Sequence, residues 1–518
     1  VDETPPQPGR PPRLLGAASV ALLAAALAFH AVPFPWPTNR FDTGVHLCAA
    51  ELLRAGRAPY IDFQTLYTPG SYHLLAWAFG LFGSTFDVHS RLDAVLLALN
   101  AWTAWHVAAR CGAGRAGALV AFAAGVAFTY PYPSLLLALL AVVCAVRPKG
   151  RAPWVRAAVA GAVAGLAGWF RQDLGAVATI AAAVAVAASA EGASVRRRAV
   201  LSVTVGAIAA VVLALLLAPA LAAAPHRVWE GLVLNPLATV PYRDSGHALD
   251  DAARDAAFGV PMLAAVLATG AAGVGAWFAR RRGDATACGA LAGLAIVAVW
   301  AVRYVVLRAE THHLVPAGIV GAVVLASVAP VAPSQGRGRW IGRALLVVAG
   351  LAVALPLARG AAARAAHVLG RRADATVGVG ELLPGAAALH LPPADGAAWI
   401  ELVRRLRARL GPGDALLSAC SRHDVIQDQD LLLYFAVGRL PPVYDYHFDP
   451  GVTTREDVQR GIVADAERAD VRVVVRYDSR NARVPPGAPA GSRFLDGWID
   501  ANFRREERIG RYEIWSRR

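Results

Sequence analysis

FDTGVHLCAAELLRAGRAPYIDFQTLYTPG, residues 41–70, is the stretch that decides how the rest of the chain is read. It lies between one apolar run, Leu14 to Val32, and another, Leu92 to Ala109, which puts it at a membrane surface. Yet it carries two carboxylates, Asp42 and Asp62, together with Tyr60, Tyr67, Thr68, Pro69 and Gly70. A stiff proline-rich exit, PFPWP at residues 33–37, leads into it. Between the acids, Leu47, Ala50, Leu52 and Leu53 make an apolar face with Glu51 and Arg54 opposite. That spacing predicts a helix lying along the interface rather than crossing it.

Outward from this loop the chain is a membrane protein. Of its 518 residues 56% are hydrophobic, and the 17% that are charged fall below the roughly 25% of soluble proteins. Apolar runs predict about eleven spans, near 14–32, 92–110, 114–130, 133–147, 155–170, 174–190, 199–223, 259–279, 285–307, 312–331 and 341–358. The net charge of +14 would also suit a nucleic-acid binder. Its placement argues against that. With residues 1–13 in the cytoplasm, Arg110 and Arg115, Arg147 to Arg156, Arg196 to Arg198, Arg280 to Arg282, and Arg337 to Arg343 all fall in loops on one side, as topology signals do. The long polar loops fall on the other. The apolar segment Tyr72 to Gly83 is too short to span, and counting it would invert every later loop, so it reads as interfacial or re-entrant. A cleaved signal peptide is the alternative for the first run. Small residues such as those from Ala157 to Gly168 read as helix-packing faces. Five scattered cysteines form no disulfide framework and do not fix the compartment.

From about residue 359 the chain becomes charged and broken by Gly and Pro. Helix-like stretches (397–410, 453–470) alternate with strand-like ones (414–420, 471–477, 512–516), which predicts an α/β domain over 359–518. By span parity it is extracytoplasmic, on the same face as Asp42.

Asp42 just after the first span is followed by Leu52, Leu53, Gly56, Pro59, Tyr60, Asp62 and Phe63, then Pro69, Gly70, Tyr72, Leu74, Leu75 and Ala76, then Leu81 to Gly83. This ordered pattern, within an outer loop over 33–91, resembles the first extracytoplasmic loop of GT-C membrane glycosyltransferases. That superfamily includes the protein O-mannosyltransferases and the aminoarabinose transferases of lipid A. The resemblance implies a GT-C-like transmembrane domain over 14–358, a polyprenyl-phosphate-linked sugar donor and inversion at the anomeric carbon. Many relatives carry Asp-Glu at the first acid; here it is Asp42-Thr43.

Such a transfer needs a base for the acceptor hydroxyl and donors for the departing phosphate. Asp42 is the candidate base, with helix capping as the plainer alternative. Asp62, Tyr60 and Tyr67 are candidate substrate contacts, though Asp62 suits a turn equally well. Arg171 and Asp173, side by side at a span end, either meet the lipid phosphate or form an interfacial ion pair. Arg308 with His312 and His313, ahead of Pro316, resembles a phosphate-contacting segment of these enzymes; Arg supplies a planar fork and His a donor. The loop from Ala224 to Phe258 either covers the site or is merely solvated. The run from Tyr444 to Pro450, YDYHFDP, suits sugar stacking or a packed loop.

No P-loop, GxGxxG after a strand, HExxH or GxSxG is present, which argues against a nucleotide-sugar donor. A divalent cation at Asp42 and Asp62 stays open. The expected protein is a multi-pass glycosyltransferase of a bacterial-type inner membrane, with a lipid, glycan or protein acceptor. The rival is a transporter, flippase or binder of lipid-linked sugars; transporters place ionisable groups near the midplane, whereas here they gather at one face.

Overall fold

The computed structural model describes residues 16–32, 38–146, 152–242, 255–307, 313–332, 337–370, 377–380, 383, 385–480, 484, 489 and 491–518. The series opens with α1 (Ala17–Ala31), and two helices of the first loop follow, α2 (Asp42–Arg54) and α3 (Gly70–Phe82). Then come α4 (Phe86–Arg110), α5 (Arg115–Ala127), α6 (Pro133–Val146), α7 (Pro153–Phe170), α8 (Gln172–Ser189) and α9 (Val195–Leu216). After short helical turns within 218–242, the bundle ends with α10 (Ala256–Arg281), α11 (Ala285–Leu307), α12 (Leu314–Val328) and α13 (Arg337–Val368). Each expected span falls on one of these helices. Among the described residues, seven helices are long and apolar enough to cross a membrane, namely α4 and α8 to α13. The helices α1, α5 and α6 are apolar but shorter.

Two of the boundaries that differ from the sequence reading have local reasons. Helix α4 starts at Phe86 rather than 92, because the Thr85 hydroxyl accepts from the Val88 N–H at 3.2 Å and Asp87 favours the positive helix end. Helix α13 runs on to Val368 rather than stopping at 358. Its extra turns hold Arg359, 3.2 Å from Asp255 at the start of α10, so hydrogen bonding continues where apolar character ends.

Small residues set the packing of the bundle. Gly161 and Gly165, four apart on α7, lie so close to α9 that a Cβ would fall 2.6 Å from the Val205 and Ala209 carbonyl oxygens. Larger side chains would push the two helices apart.

The C-terminal sheet runs in the order β3 (Leu416–Cys420), β4 (Val473–Tyr477), β6 (Tyr512–Arg517), β5 (Phe503–Ile509), after a small antiparallel pair, β1 (Val377–Gly378) and β2 (His390–Leu391). Strands β3 and β4 are parallel, and the remaining pairs are antiparallel. Helices α14 (Pro393–Arg409), α15 (Leu432–Val437), α16 (Glu456–Arg468) and α17 (Phe494–Asn502) accompany it. Strand β5 escaped the sequence reading because its centre, Arg504 to Glu507, is charged; that is the dress of a protected edge strand rather than of a buried one.

This sheet is not a separate body. Leu47, Cys48, Ala50, Leu75 and Phe79 of α2 and α3 share one apolar core with Leu402, Leu416, Leu431 and Ile499. At Gly44 a Cβ would sit 2.5 Å from Leu431 Cβ and from the Leu432 nitrogen, so α2 lies directly on the C-terminal backbone. The apolar end of α3 points away from this core, with Leu81 and Phe82 exposed. It is a 13-residue helix packed on α2, short as its apolar segment is.

Candidate active site

Asp42 opens α2, and Asn39 closes the first turn. The Asn39 Oδ1 accepts from the backbone N–H of Phe41 and of Asp42, each at 3.0 Å, while its Nδ2 donates to Asp42 Oδ2 at 2.7 Å. Arg40, just after Asn39, turns the other way. Arg40 reaches into the C-terminal domain, where it bonds Asp395 Oδ2 at 3.0 Å and the hydroxyls of Tyr477 and Tyr512, and lies 3.7 Å from Asp430. Its guanidinium also lies over the Tyr477 ring, 4.7 Å from the centroid. Asp430 is fully buried and accepts from Trp399 Nε1 and the Tyr512 hydroxyl. The start of α2 is therefore pinned from beneath.

His46 follows Asp42 by one helical turn and meets the Tyr72 ring edge-on at 5.4 Å. Burial, with His89 nearby, holds its imidazole down at about 4, so it is neutral at physiological pH. Burial pushes the Tyr72 hydroxyl up, and the fields of Tyr67, Asp449 and Asp42 add to the push. The Tyr72 hydroxyl lies 3.3 Å from the Thr65 hydroxyl.

The second half of the site is built on Arg171. An extended backbone (φ −163°, ψ 117°) at this residue breaks the helix between α7 and α8 and frees the side chain to turn back. Its guanidinium forks onto Asp173, with Nε to Oδ1 at 2.8 Å and Nη2 to Oδ2 at 3.3 Å, while Nη1 donates to the Tyr304 hydroxyl at 3.0 Å. Tyr67 and Tyr304 present their rings to it, with centroids 5.0 and 4.7 Å away. Tyr304 extends the cluster to the Tyr132 hydroxyl at 3.4 Å and to the buried His313 ring at 4.6 Å. Tyr130 lies beside Tyr132, with ring centroids 4.9 Å apart. Burial raises its hydroxyl, the Asp42 carboxylate raises it further, and Arg171 pulls it back. The ends of α7 and α11 and the α5–α6 turn thus converge at Arg171, together with Tyr67 of the first loop.

Other candidates turn out to hold the loop itself. Asp62 Oδ2 accepts from the Ala58 N–H at 2.8 Å, with Arg57 3.9 Å from its other oxygen. Tyr60 is buried in the left-handed region (φ 65°), its N–H bonded to Phe63 O and its hydroxyl to Tyr67 O, both at 2.8 Å. The strained loop is braced from above by Arg227, which donates to Ile61 O at 2.9 Å and lies over the Tyr444 ring. Arg308 and His312 lie outside the described residues. Among the described residues no three His, Cys, Asp or Glu side chains gather as metal ligands.

The run from Tyr444 to Pro450 packs against the first loop. His447 Nδ1 lies 2.5 Å from Asp449 Oδ2 and Nε2 lies 3.2 Å from the Gln64 carbonyl oxygen. Both ring nitrogens face acceptors, so both must donate, and the imidazole is the charged form. Burial opposes this, but Asp449 outweighs it and raises the imidazole above its ordinary 6.5. Burial likewise lifts the neighbouring Asp445 carboxyl to about 7. Both shifts mean that the folded state binds extra protons. The His447 contribution to stability is complete below pH 6.5 and is lost as pH rises through its raised folded value; Asp445 destabilises in the same direction as pH rises through about 7. Thermal unfolding of His447→Gln should therefore fall furthest short of wild type in mild acid, and the gap should close as pH rises above neutrality. A gap that widens with pH would contradict the charged assignment.

The sequence reading singled out Asp42, Tyr67, Arg171, Asp173 and His313, which the fold brings into or beside this cluster. It missed Arg40, His46, Tyr130, Tyr132 and the roles of Tyr304 and the pair His447 and Asp449. A tyrosine at three separate span ends was the one signal available for the aromatic lining.

No family model matches the chain, and no curated protein matches it. Solved structures do, two of ArnT among them. ArnT from Cupriavidus metallidurans in the apo state shares 14% identity over 97% of this chain and 98% of that one, with a TM-score of 0.57. ArnT from the same organism bound to undecaprenyl phosphate gives 13%, 96%, 97% and 0.54. Likeness across nearly the whole of both chains, at so low an identity, establishes the architecture: this chain has a GT-C-like fold.

Proposed function

We propose that the protein is a glycosyltransferase of a bacterial-type inner membrane, moving a sugar from a polyprenyl-phosphate donor to an acceptor at the extracytoplasmic face. The observation that carries this is the Arg171 guanidinium at a span end, forked onto Asp173 and flanked by the rings of Tyr304 and of Tyr67, a residue of the same first loop as Asp42. A base and a cation are what direct displacement at a sugar phosphate requires.

In this reading Asp42 takes the proton of the acceptor hydroxyl as its oxygen bonds to the anomeric carbon. The bond from that carbon to the phosphate oxygen breaks, its electrons stay on the phosphate, and polyprenyl phosphate leaves with inversion. Arg171, preset by Asp173 and flanked by Tyr67 and Tyr304, balances the charge that develops; Arg308, His312 and His313 follow on in the chain from the Tyr304 end and would add donors. ArnT, the structure with undecaprenyl phosphate bound, shares the fold and so supports a groove for such a carrier. The aromatic rings offer faces for a sugar.

Incubation of purified protein and a membrane lipid extract with radiolabelled polyprenyl-phosphate sugars, and in parallel with nucleotide sugars, tests this. Label should move from the lipid-linked sugars alone. Transfer from nucleotide sugars would contradict the donor assignment. Within that assay Arg171→Ala should raise the donor KM about tenfold or more, and Arg171→Lys should recover part of it, since Lys keeps the charge but loses the fork.

A further inference from the structure

The loop between α2 and α3 is wired almost completely. The Thr65 hydroxyl donates to Tyr67 O at 2.9 Å and lies 3.3 Å from the Tyr72 hydroxyl. The Gln64 N–H bonds Tyr444 O at 2.9 Å, and Gln172 clasps the far end through Leu66 O at 2.8 Å and the Thr68 N–H at 3.4 Å. Two side chains are left out. Gln64 is 2% exposed and neither atom of its carboxamide has a partner among the described residues. Thr68 is 1% exposed and its Oγ1 is likewise unpartnered.

Buried polar groups without partners are rare and costly, and a loop that keeps two of them within five residues calls for a reason. Their setting supplies one. Gln64 is tied to the C-terminal wall by Tyr444 and His447, and Thr68 is tied to the start of α8 beside Arg171. Thr65 between them touches Tyr72, the hydroxyl that senses both Asp42 and Asp449. Neither side chain carries charge, so neither is built for the phosphate. A carboxamide and a hydroxyl each donate and accept, which is the chemistry that reads neutral vicinal hydroxyls.

We propose that Gln64 and Thr68 are the sugar-reading groups of the site, taking hydroxyls of an uncharged polyhydroxylated ring while charged groups elsewhere hold the phosphate. This rests on the glycosyl-transfer reading above. A site whose buried polar groups are satisfied by substrate discriminates sharply against ligands that lack the matching hydroxyls.

The test compares Gln64→Leu and Thr68→Val with wild type in binding two probes of equal chain length, a short-chain polyprenyl-phosphate hexose chosen from the donor assay and bare polyprenyl phosphate. Both variants remove an unpartnered group, so thermal stability should hold or rise. Affinity for the sugar-bearing probe should fall about tenfold or more, and affinity for the bare carrier should not change. Unchanged affinity for both probes would overturn the proposal, as would equal loss of both, or lowered stability with sugar affinity intact. A wild type that binds the bare carrier but gains nothing from the sugar would overturn it while sparing the carrier assignment. Failure of wild type to bind either probe would instead remove the glycosyl-transfer reading, and this proposal with it.

Discussion

Asp42→Asn is expected to lose about 10² to 10⁴ in turnover while donor affinity and folding are retained. Asn keeps the shape and polarity of the carboxylate but cannot take the acceptor's proton. The helix start should survive the change. Asn39 already closes the first turn through the Phe41 and Asp42 N–H groups, and its Nδ2 finds a carbonyl-type oxygen in Asn as readily as in Asp. Were Asp42 there only to favour the helix end, Asn would serve nearly as well. Turnover under saturating donor, measured beside donor affinity and thermal unfolding, separates the two roles. Near-normal turnover would remove Asp42 as the base.

Arg40→Ala is expected to be the most damaging change to stability, by about 3 to 5 kcal/mol. Removing this guanidinium takes the facing cation from the fully buried Asp430 carboxylate, leaves Asp395 with Arg511 alone, and takes donors from Tyr477 and Tyr512 as well. Desolvated charges without a partner cost far more than the pair contributes. A double variant, Arg40→Met with Asp430→Asn, should recover a good part of the loss because no bare charge is left at that point. Denaturant or thermal unfolding of the detergent-solubilised chain measures both. A single variant within about 0.5 kcal/mol of wild type, the range of ordinary surface changes, would contradict the pinning role.

The bundle was legible because spanning helices must be apolar over most of their length, and that signal is local in sequence. The first loop was legible for a different reason, its resemblance to a known pattern on residues such as Asp42, Pro59 and Gly70. Arg171 and Asp173 stood out because charge at a span end is rare. What pairs with them did not. Tyr304 lies 133 residues from Arg171, and the partners of Arg40 lie 355, 437 and 472 residues away. No periodicity or spacing records such contacts. Asp62 and Tyr60 show a related limit: an acid and a buried tyrosine in a tight loop carry the same letters whether they hold a ligand or the loop itself. Gln64 was invisible, since its interest lies in being buried without a partner, and that is a property of the folded chain alone.

The central claim is that this chain releases a polyprenyl phosphate as it transfers a sugar. Reconstituted into liposomes with a doubly labelled donor, one isotope in the sugar and another in the carrier, the protein should produce bare polyprenyl monophosphate in step with glycosylated acceptor, one for one. Release of a polyprenyl diphosphate, or movement of the intact donor across the bilayer with both labels still joined, would contradict it.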